Sequence, residues 1–271
     1  MLKKIFIFFI LFFCSICIAN AQDLKFAQIA DVHFDTSENS NSAQSLKWAI
    51  DELNKINDLD FVVFLGDNLD KSNKTVLKSF LGVVNYLNKP YYIVLGNHDS
   101  HKISGITKDT YMEIVLNYNK NQKTLSSNYM FAPKKGIKCL VLDGVMPYMP
   151  SKHGQYTFET LNFAKNNLKK YKKDKFIIFQ HFPVYEPFDD KTREIYEKDA
   201  YLKLLNDFEN ILMISSGHYH KSKSIYDNKN VLHLSTESFA KEGYHFDIVE
   251  VKIKNKKNKE NQINVKNIKL Q

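Results

Sequence analysis

The chain has 271 residues, of which 44% are hydrophobic and 25% are charged, and its formal net charge is +8 at pH 7. A chain of this length can bury a sizeable core, which excludes a small domain that depends on disulfide bonds. The positive charge comes almost wholly from lysine, since Arg193 is the only arginine. Such an excess is typical of a solvated face that weakly attracts anionic substrates, and it does not favour nucleic acid as the main partner.

The N-terminal segment has the pattern of an export signal. Two lysines precede an almost wholly apolar stretch over residues 5–18, and an Ala-x-Ala cleavage site follows at residues 19–21. We therefore predict a signal peptide over residues 1–21 and a secreted or periplasmic mature chain, without stable membrane insertion after cleavage. An uncleaved anchor is the alternative, although a spanning helix needs ~20 apolar residues.

Strand and helix patterns alternate along the remaining chain, which we treat as one domain over residues 22–271. Short apolar runs predict buried strands at residues 24–30, 60–65, 90–95, 175–180 and 210–215. Apolar residues at helical spacing predict helices at residues 42–56, 74–87, 157–168 and 199–208. Alternating residues predict antiparallel strands at 231–234, 244–253 and, more weakly, 263–270. This order is typical of an α/β fold with crossover helices.

Polar residues that can bind metal follow each of the five apolar runs. The five segments are Asp31-Val32-His33, Gly66-Asp67-Asn68-Leu69-Asp70, Gly96-Asn97-His98-Asp99, His181 and Gly217-His218-Tyr219-His220. Ligands of α/β sheets bind at the carboxyl ends of strands, so we expect these segments to meet at one edge of a sheet. Residues i and i+2 of an extended segment face the same side, so Asp31 and His33 can point into one site.

The residue types in these segments predict a site for two divalent metal ions. Asp, Asn and His without a thiolate form an oxygen and nitrogen ligand set, which suits Mn, Fe or Zn. Two ions about 3.5–4 Å apart can clamp the oxygens of an in-line displacement at phosphorus. The glycines that precede the proposed ligands allow a sharp turn and a close approach of the backbone.

Together the segments resemble the calcineurin-like metallophosphoesterase family, whose motifs are D-x-H, G-D-x-x-D, G-N-H-D/E, a lone His after a strand, and G-H-x-H. All five motifs occur in family order, and the resemblance spans residues 24–246. It implies a metallophosphoesterase-type α/β/β/α sandwich, in which helices flank two facing mixed β-sheets, with a catalytic domain over residues 22–271. It also implies hydrolysis of phosphate esters by attack of a metal-bound hydroxide.

The resemblance also assigns a role to each motif residue. One metal would be held by Asp31, His33, Asp67 and His220. The other metal would be held by Asn97, His181, His218 and the bridging Asp67. His98 would act on the scissile phosphate, by stabilising charge or by protonating the leaving oxygen. Asp70 would hydrogen-bond His98 and fix its tautomer, with a local turn cap as its alternative role, whereas Asp99 would support the site without binding metal.

Three departures from family patterns narrow the subgroup. Lys71-Ser72 stand where the Ser/Thr protein phosphatases have Arg-Gly. Asp70 stands where purple acid phosphatases have Tyr, and His98 stands where the lipid A pathway hydrolases have Arg. The chain is most similar in these respects to the bacterial cyclic-nucleotide phosphodiesterase-like branch.

The resulting hypothesis is an exported phosphodiesterase that acts on a small-molecule phosphate ester of nucleotide-like chemistry. A phosphomonoesterase of the same fold is one alternative, and a non-catalytic metal-binding scaffold is another. The scaffold is disfavoured because every motif position is intact. Residues 35–41 and 182–194 are predicted to form loops that shape substrate choice. The native metals, the physiological substrate and the oligomeric state stay open at this point.

Overall fold

The computed structural model describes residues 23–103, 105–146, 151–188, 190–240, 243–253 and 260–270. The predicted signal peptide over residues 1–21 lies outside these ranges. Among the residues described, no helix is long and apolar enough to cross a membrane.

The described strands form two mixed sheets, one of five strands and one of six. In spatial order, the first sheet contains β11 (Gln262–Lys269), β10 (His245–Lys252), β1 (Leu24–Ile29), β2 (Phe61–Leu65) and β3 (Tyr91–Val94). The second contains β4 (Tyr129–Lys134), β5 (Ile137–Leu142), β6 (Lys175–Gln180), β7 (Ile211–Ser216), β9 (Leu232–Ser235) and β8 (Lys223–Tyr226). Strands β1 to β3 run parallel to one another, as do β5, β6, β7 and β9.

Helices flank these sheets. They are α1 (Ser42–Asn54), α2 (Lys74–Val84), α3 (Lys108–Tyr118), α4 (Phe158–Lys170) and α5 (Lys198–Asn206). Helix α2 contacts both α1 and α3, whereas α4 contacts α5 and β5. Asn73 caps α2 by accepting two backbone N–H bonds, and Thr157 caps α4 in the same way with one bond. Helix α4 therefore begins one residue later than predicted.

Aromatic side chains join the two sheets face to face. Phe26 of β1 packs edge-on against Phe179 of β6, with ring centroids 5.4 Å apart. Phe61 of β2 meets Phe131 of β4 at 5.2 Å. Phe26, Phe61 and Phe179 are fully buried, and each contributes roughly 1.5–3 kcal/mol of hydrophobic stabilisation. The predicted sandwich of two facing mixed sheets flanked by helices is confirmed.

The five predicted motif strands are also found, but they do not belong to one sheet. Strands β1, β2 and β3 lie in the five-stranded sheet, and β6 and β7 lie in the six-stranded sheet. The expectation of a site on one edge of a single sheet is therefore wrong. The site instead lies where the carboxyl ends of parallel strands from both facing sheets adjoin. Helix α3 and strands β4, β5 and β8 were not predicted.

Candidate metal centre

The predicted metal ligands meet at this junction in two groups that share one residue. In each group, every residue offers one ligand atom, and these atoms all lie within 4.8 Å of one another. The first group consists of Asp31, His33, Asp67 and His220. The second group consists of Asp67, His181 and His218. Asn97 adjoins the second group, because its Oδ1 lies 3.3 Å from His181 Nε2. The grouping matches the two ligand sets that the family resemblance implies, and metal binding by these residues stays a prediction.

Short distances between potential ligand atoms characterise both groups. His220 Nε2 lies 3.3 Å from Asp31 Oδ1 and 3.4 Å from His33 Nε2. His181 Nε2 lies 3.4 Å from Asp67 Oδ2. His33 Nε2 lies 4.0 Å from the same Asp67 oxygen. One buried carboxylate oxygen thus faces both groups, as a bridging ligand must.

The backbone of the ligand segments is strained. The angle φ is positive at five candidate ligands, namely Asp31, His33, Asp67, His218 and His220. Residues other than glycine rarely adopt this region, and such strain is typical of functional sites, where the surrounding structure imposes it. The expected extended D-x-H segment is therefore wrong in its backbone. The left-handed turns are held in place because Asp31 N and His33 N donate to the carbonyls of Gly66 and Asp67 at 3.0 and 2.9 Å.

Two glycines let the ligand segments approach one another. A Cβ on Gly96 would lie 2.0 Å from the backbone N of Asp67 and 2.3 Å from its Oδ1. Gly66 has a φ of 88°, and a Cβ there would lie 2.6 Å from His181 Nδ1. A side chain at either position would push apart segments from different strands.

Hydrogen bonds to backbone carbonyls orient two of the histidine rings. His181 Nδ1 bonds the Leu65 carbonyl, and His218 Nε2 bonds the Lys152 carbonyl, each at 2.8 Å. Because a carbonyl can only accept, these nitrogens carry the protons. On a neutral His181 ring, the lone pair of Nε2 then faces the oxygens of Asp67 and Asn97. Such converging lone pairs repel unless a cation lies among them, so the residues fit a divalent metal ion.

Burial and neighbouring charges set different protonation states for the candidate ligands. Burial lowers the pKa of His218 to about 3, with further repulsion from a positive His181 ring. Burial opposes ionisation of Asp67, but the adjacent His181 outweighs it and holds the Asp67 pKa well below its usual range. Burial also lowers the pKa of His181, yet the Asp67 carboxylate raises it to about 9. Metal binding at neutral pH would therefore displace the proton of His181.

Asp99 supports the loops that carry the ligands. Its buried carboxylate accepts bonds from the backbone N of Gly96 at 2.8 Å, from the backbone N of Leu69 at 3.0 Å and from Asn68 Nδ2 at 2.9 Å. Burial and the neighbouring charge of Asp67 raise the pKa of Asp99 to about 7. These contacts tie two ligand segments together, which agrees with the supporting role expected for Asp99.

His98 is more exposed than the other site histidines, and it lies beside Asp70 as predicted. However, its Nδ1 bonds the backbone carbonyl of Asp70 at 2.8 Å, not the carboxylate. The Asp70 carboxylate instead lies 3.9 Å from His33 Nδ1, and these three residues form a further close group of potential ligand atoms. The predicted orientation of His98 by Asp70 thus occurs through the main chain, and the implied side-chain contact is wrong.

A cavity of about 520 Å³ adjoins His98 and Asn97, and Lys71 and Lys152 contribute to its wall.

Sequence reasoning missed two residues that contact this site. Lys152 holds His218 through its carbonyl, a contact that leaves no residue-type signal. Arg193 donates from Nη1 to the His218 carbonyl. Its place in the predicted specificity loop, as the only arginine, was a signal that could have found it.

Comparison with known proteins agrees with this geometry. Residues 24–222 match the family model of the calcineurin-like phosphoesterases. A "probable glycerophosphodiester phosphodiesterase" of Arcobacter nitrofigilis is 24% identical over 177 residues, which are 64% of this chain and 61% of that protein. A "probable cyclic nucleotide phosphodiesterase" of Colwellia psychrerythraea is 23% identical over 213 residues, which are 74% of this chain and 73% of that protein. The match thus spans less than two thirds of the length of the first relative.

Solved structures show the same fold. A dimetal phosphatase from Danio rerio superposes with a TM-score of 0.70 at 16% identity, over 89% of this chain and 98% of that chain. The family match begins at the first residue of β1 and ends just beyond His220, so it contains every ligand segment. This chain therefore belongs to the calcineurin-like phosphoesterase family.

Proposed function

We propose that this protein is a metal-dependent hydrolase that cleaves phosphodiesters of nucleotide-like small molecules. The observation that carries the proposal is the cavity of about 520 Å³ beside Asn97 and His98. A phosphoryl group occupies only a few times the volume of a water molecule, which is ~30 Å³. The cavity therefore has room for the second alcohol arm that distinguishes a diester from a monoester. The two relatives, both named as phosphodiesterases, support this substrate class.

Different residues of the site would have different roles in the reaction. Bound ions would supply Lewis-acid polarisation of the phosphate and activation of water at neutral pH. Asp67 keeps both groups of ligands together, and the carbonyls of Leu65 and Lys152 hold two ligand rings in position. His98 has its Nδ1 fixed on the Asp70 carbonyl. Because that bond uses the Nδ1 proton, His98 can donate from Nε2 to the phosphate or to the leaving oxygen only as the imidazolium ion, which is protonated on both nitrogens.

Hydrolysis of two chromogenic esters by Mn-loaded protein tests this function. We expect bis(p-nitrophenyl) phosphate to have a higher kcat/KM than p-nitrophenyl phosphate, by roughly tenfold or more, since filling a pocket with one extra group has an effect of this size. Removal of metal with a chelator should abolish both reactions, and added Mn should restore them. A panel of cyclic nucleotides, linear nucleotide diesters, glycerophosphodiesters and monoesters then ranks the natural chemistries.

Two outcomes would favour the alternatives. A higher kcat/KM for the monoester would indicate a phosphomonoesterase of the same fold. Turnover of neither ester by protein that holds two ions per chain would indicate a metal-binding scaffold. The intact His98 and the complete ligand set argue against the scaffold.

We also propose that residues 1–21 direct export and are then removed. The apolar stretch and the Ala-x-Ala site support cleavage between Ala21 and Gln22. N-terminal sequencing of protein recovered from the periplasm or medium of a bacterial host should begin at Gln22. Protein that keeps Met1 and sediments with the membranes would favour the uncleaved anchor.

A further inference from the structure

Two lysines from separate loops line the cavity beside His98. Lys71 follows the Asp67 segment, and Lys152 lies in the loop before α4. Both are exposed. Neither forms a contact ion pair within the described ranges, although Lys71 attracts the carboxylate of Asp35 and Lys152 that of Asp190 from a longer distance. Other lysines do pair in this structure, since Lys108 and Lys198 lie 2.6 and 2.7 Å from carboxylates. The cavity wall thus carries two positive charges that the described protein does not neutralise by contact.

Backbone hydrogen bonds fix the loops that carry both lysines relative to the site. The carbonyl of Lys152 accepts the bond from His218 Nε2 at 2.8 Å. The carbonyl of Asp70, which precedes Lys71, accepts the bond from His98 Nδ1 at 2.8 Å. Each lysine-bearing loop is therefore tied to the ring of a site histidine. The fold thus sets the backbone positions from which both lysine side chains reach the cavity.

Hydroxyl groups add donors to the same wall. Ser72 Oγ accepts from the backbone N of Ile106 at 2.9 Å, and Ser151 Oγ accepts from the backbone N of His153 at 3.1 Å. Both serines line the cavity, and neither hydroxyl donates a hydrogen bond to another residue in the described part of the chain. A phosphate group offers only acceptors, and lysine binds it as a point charge. Asp70 also lines the cavity, and its carboxylate lies next to His33, with Oδ1 3.9 Å from His33 Nδ1.

We propose that this cavity binds a second anionic group, so that the preferred substrate is a phosphodiester with a further phosphate on its alcohol arm. The inference rests on the proposed function and names its substrate class. The scissile phosphate lies at the metal ligands and His98, and Lys71 and Lys152 hold the terminal phosphate. A diester whose second alcohol arm is neutral or cationic lacks the contact with the two lysines.

A matched pair of substrates tests the subsite in Mn-loaded protein. Thymidine 3′-(p-nitrophenyl phosphate), with and without a 5′-phosphate, releases the same leaving group, so only the terminal phosphate differs. We expect the 5′-phosphate to raise kcat/KM roughly 25-fold, mainly through KM, because each of two contact ion pairs near water contributes about fivefold. In the double variant Lys71→Gln/Lys152→Gln this ratio should fall close to one. Lys165→Gln on the exposed side of α4 removes one charge away from the cavity, and it should keep the ratio.

Binding provides a second readout that does not depend on turnover. Thymidine 3′,5′-bisphosphate should bind more tightly than thymidine 3′-phosphate by calorimetry, and the double variant should lose the difference. Equal ratios for the wild type and the double variant in both assays would overturn the subsite and leave the phosphodiesterase intact. Hydrolysis of neither ester would overturn the proposed function, and calorimetry would then decide the subsite alone.

Discussion

Asp67→Asn is expected to lose bound metal and turnover together. The Asp67 carboxylate belongs to both ligand groups, with Oδ2 at 3.4 Å from His181 Nε2 and 4.0 Å from His33 Nε2. Loss of a partner that only orients a metal ligand already costs roughly 10–100-fold in affinity or activity, so loss of a shared ligand should exceed ~100-fold. Asparagine keeps the oxygen that accepts the His98 backbone N–H at 2.8 Å, so we expect the fold to survive.

Elemental analysis after Mn loading and turnover at saturating Mn measure the two effects on the same sample. Asp51→Asn on the exposed side of α1 removes the same charge, and it should keep both the metal and the rate. Thermal unfolding followed by circular dichroism checks that the variant is folded. Two ions per chain with unchanged turnover would show that Asp67 does not bridge.

The motif strands could be predicted because they are buried on both faces. Every position of β2 is buried, so an uninterrupted apolar run marks it. Three of the four residues of β8 are exposed, and this edge strand is held by backbone bonds to β9 that leave no hydrophobic pattern. Helix α3 places its buried residues within Tyr111–Val115, which is too short a span to establish a helical period.

The division of the motif strands between two sheets left no local signal. Strand β1 pairs with β10 in a register that joins Leu24 to Val251, across most of the chain. Apolar runs indicate that a strand is buried, but they do not identify its neighbour. The family resemblance supplied the two-sheet arrangement, whereas the strand pattern alone suggested one sheet edge.

The candidate ligands could be identified because their chemistry lies in the side chains. Contacts that use the main chain could not, since any residue can supply a carbonyl. The bonds from His98 to Asp70 and from His218 to Lys152 are both of this kind. The left-handed backbone at Asp31 and His33 could not be predicted either, because glycine is the residue that most clearly indicates such a conformation in a sequence.

His98→Ala is expected to keep both metals and the fold but to lower kcat by ~10²–10⁴-fold, the usual contribution of a positioned general acid. His98 is exposed at the cavity, whereas His181 and His218 are buried among the ligands. The loss should be smaller for diesters with a very acidic leaving group, because the departing oxygen then needs little protonation. An equal loss for good and poor leaving groups would indicate charge stabilisation without proton transfer, and loss of metal would place His98 among the ligands.

Asp70→Asn separates the two ways in which Asp70 could support this histidine. Because the backbone carbonyl orients His98 at 2.8 Å, the variant should keep the wild-type dependence of rate on leaving group. Its defect should appear as weaker metal binding, since Asp70 Oδ1 lies 3.9 Å from His33 Nδ1. A titration with Mn followed by turnover measures both quantities.

If Asp70→Asn instead keeps its metals and shows a milder form of the His98→Ala defect, the carboxylate acts through His98. The double variant would then be little worse than His98→Ala, because groups that act as a unit are non-additive.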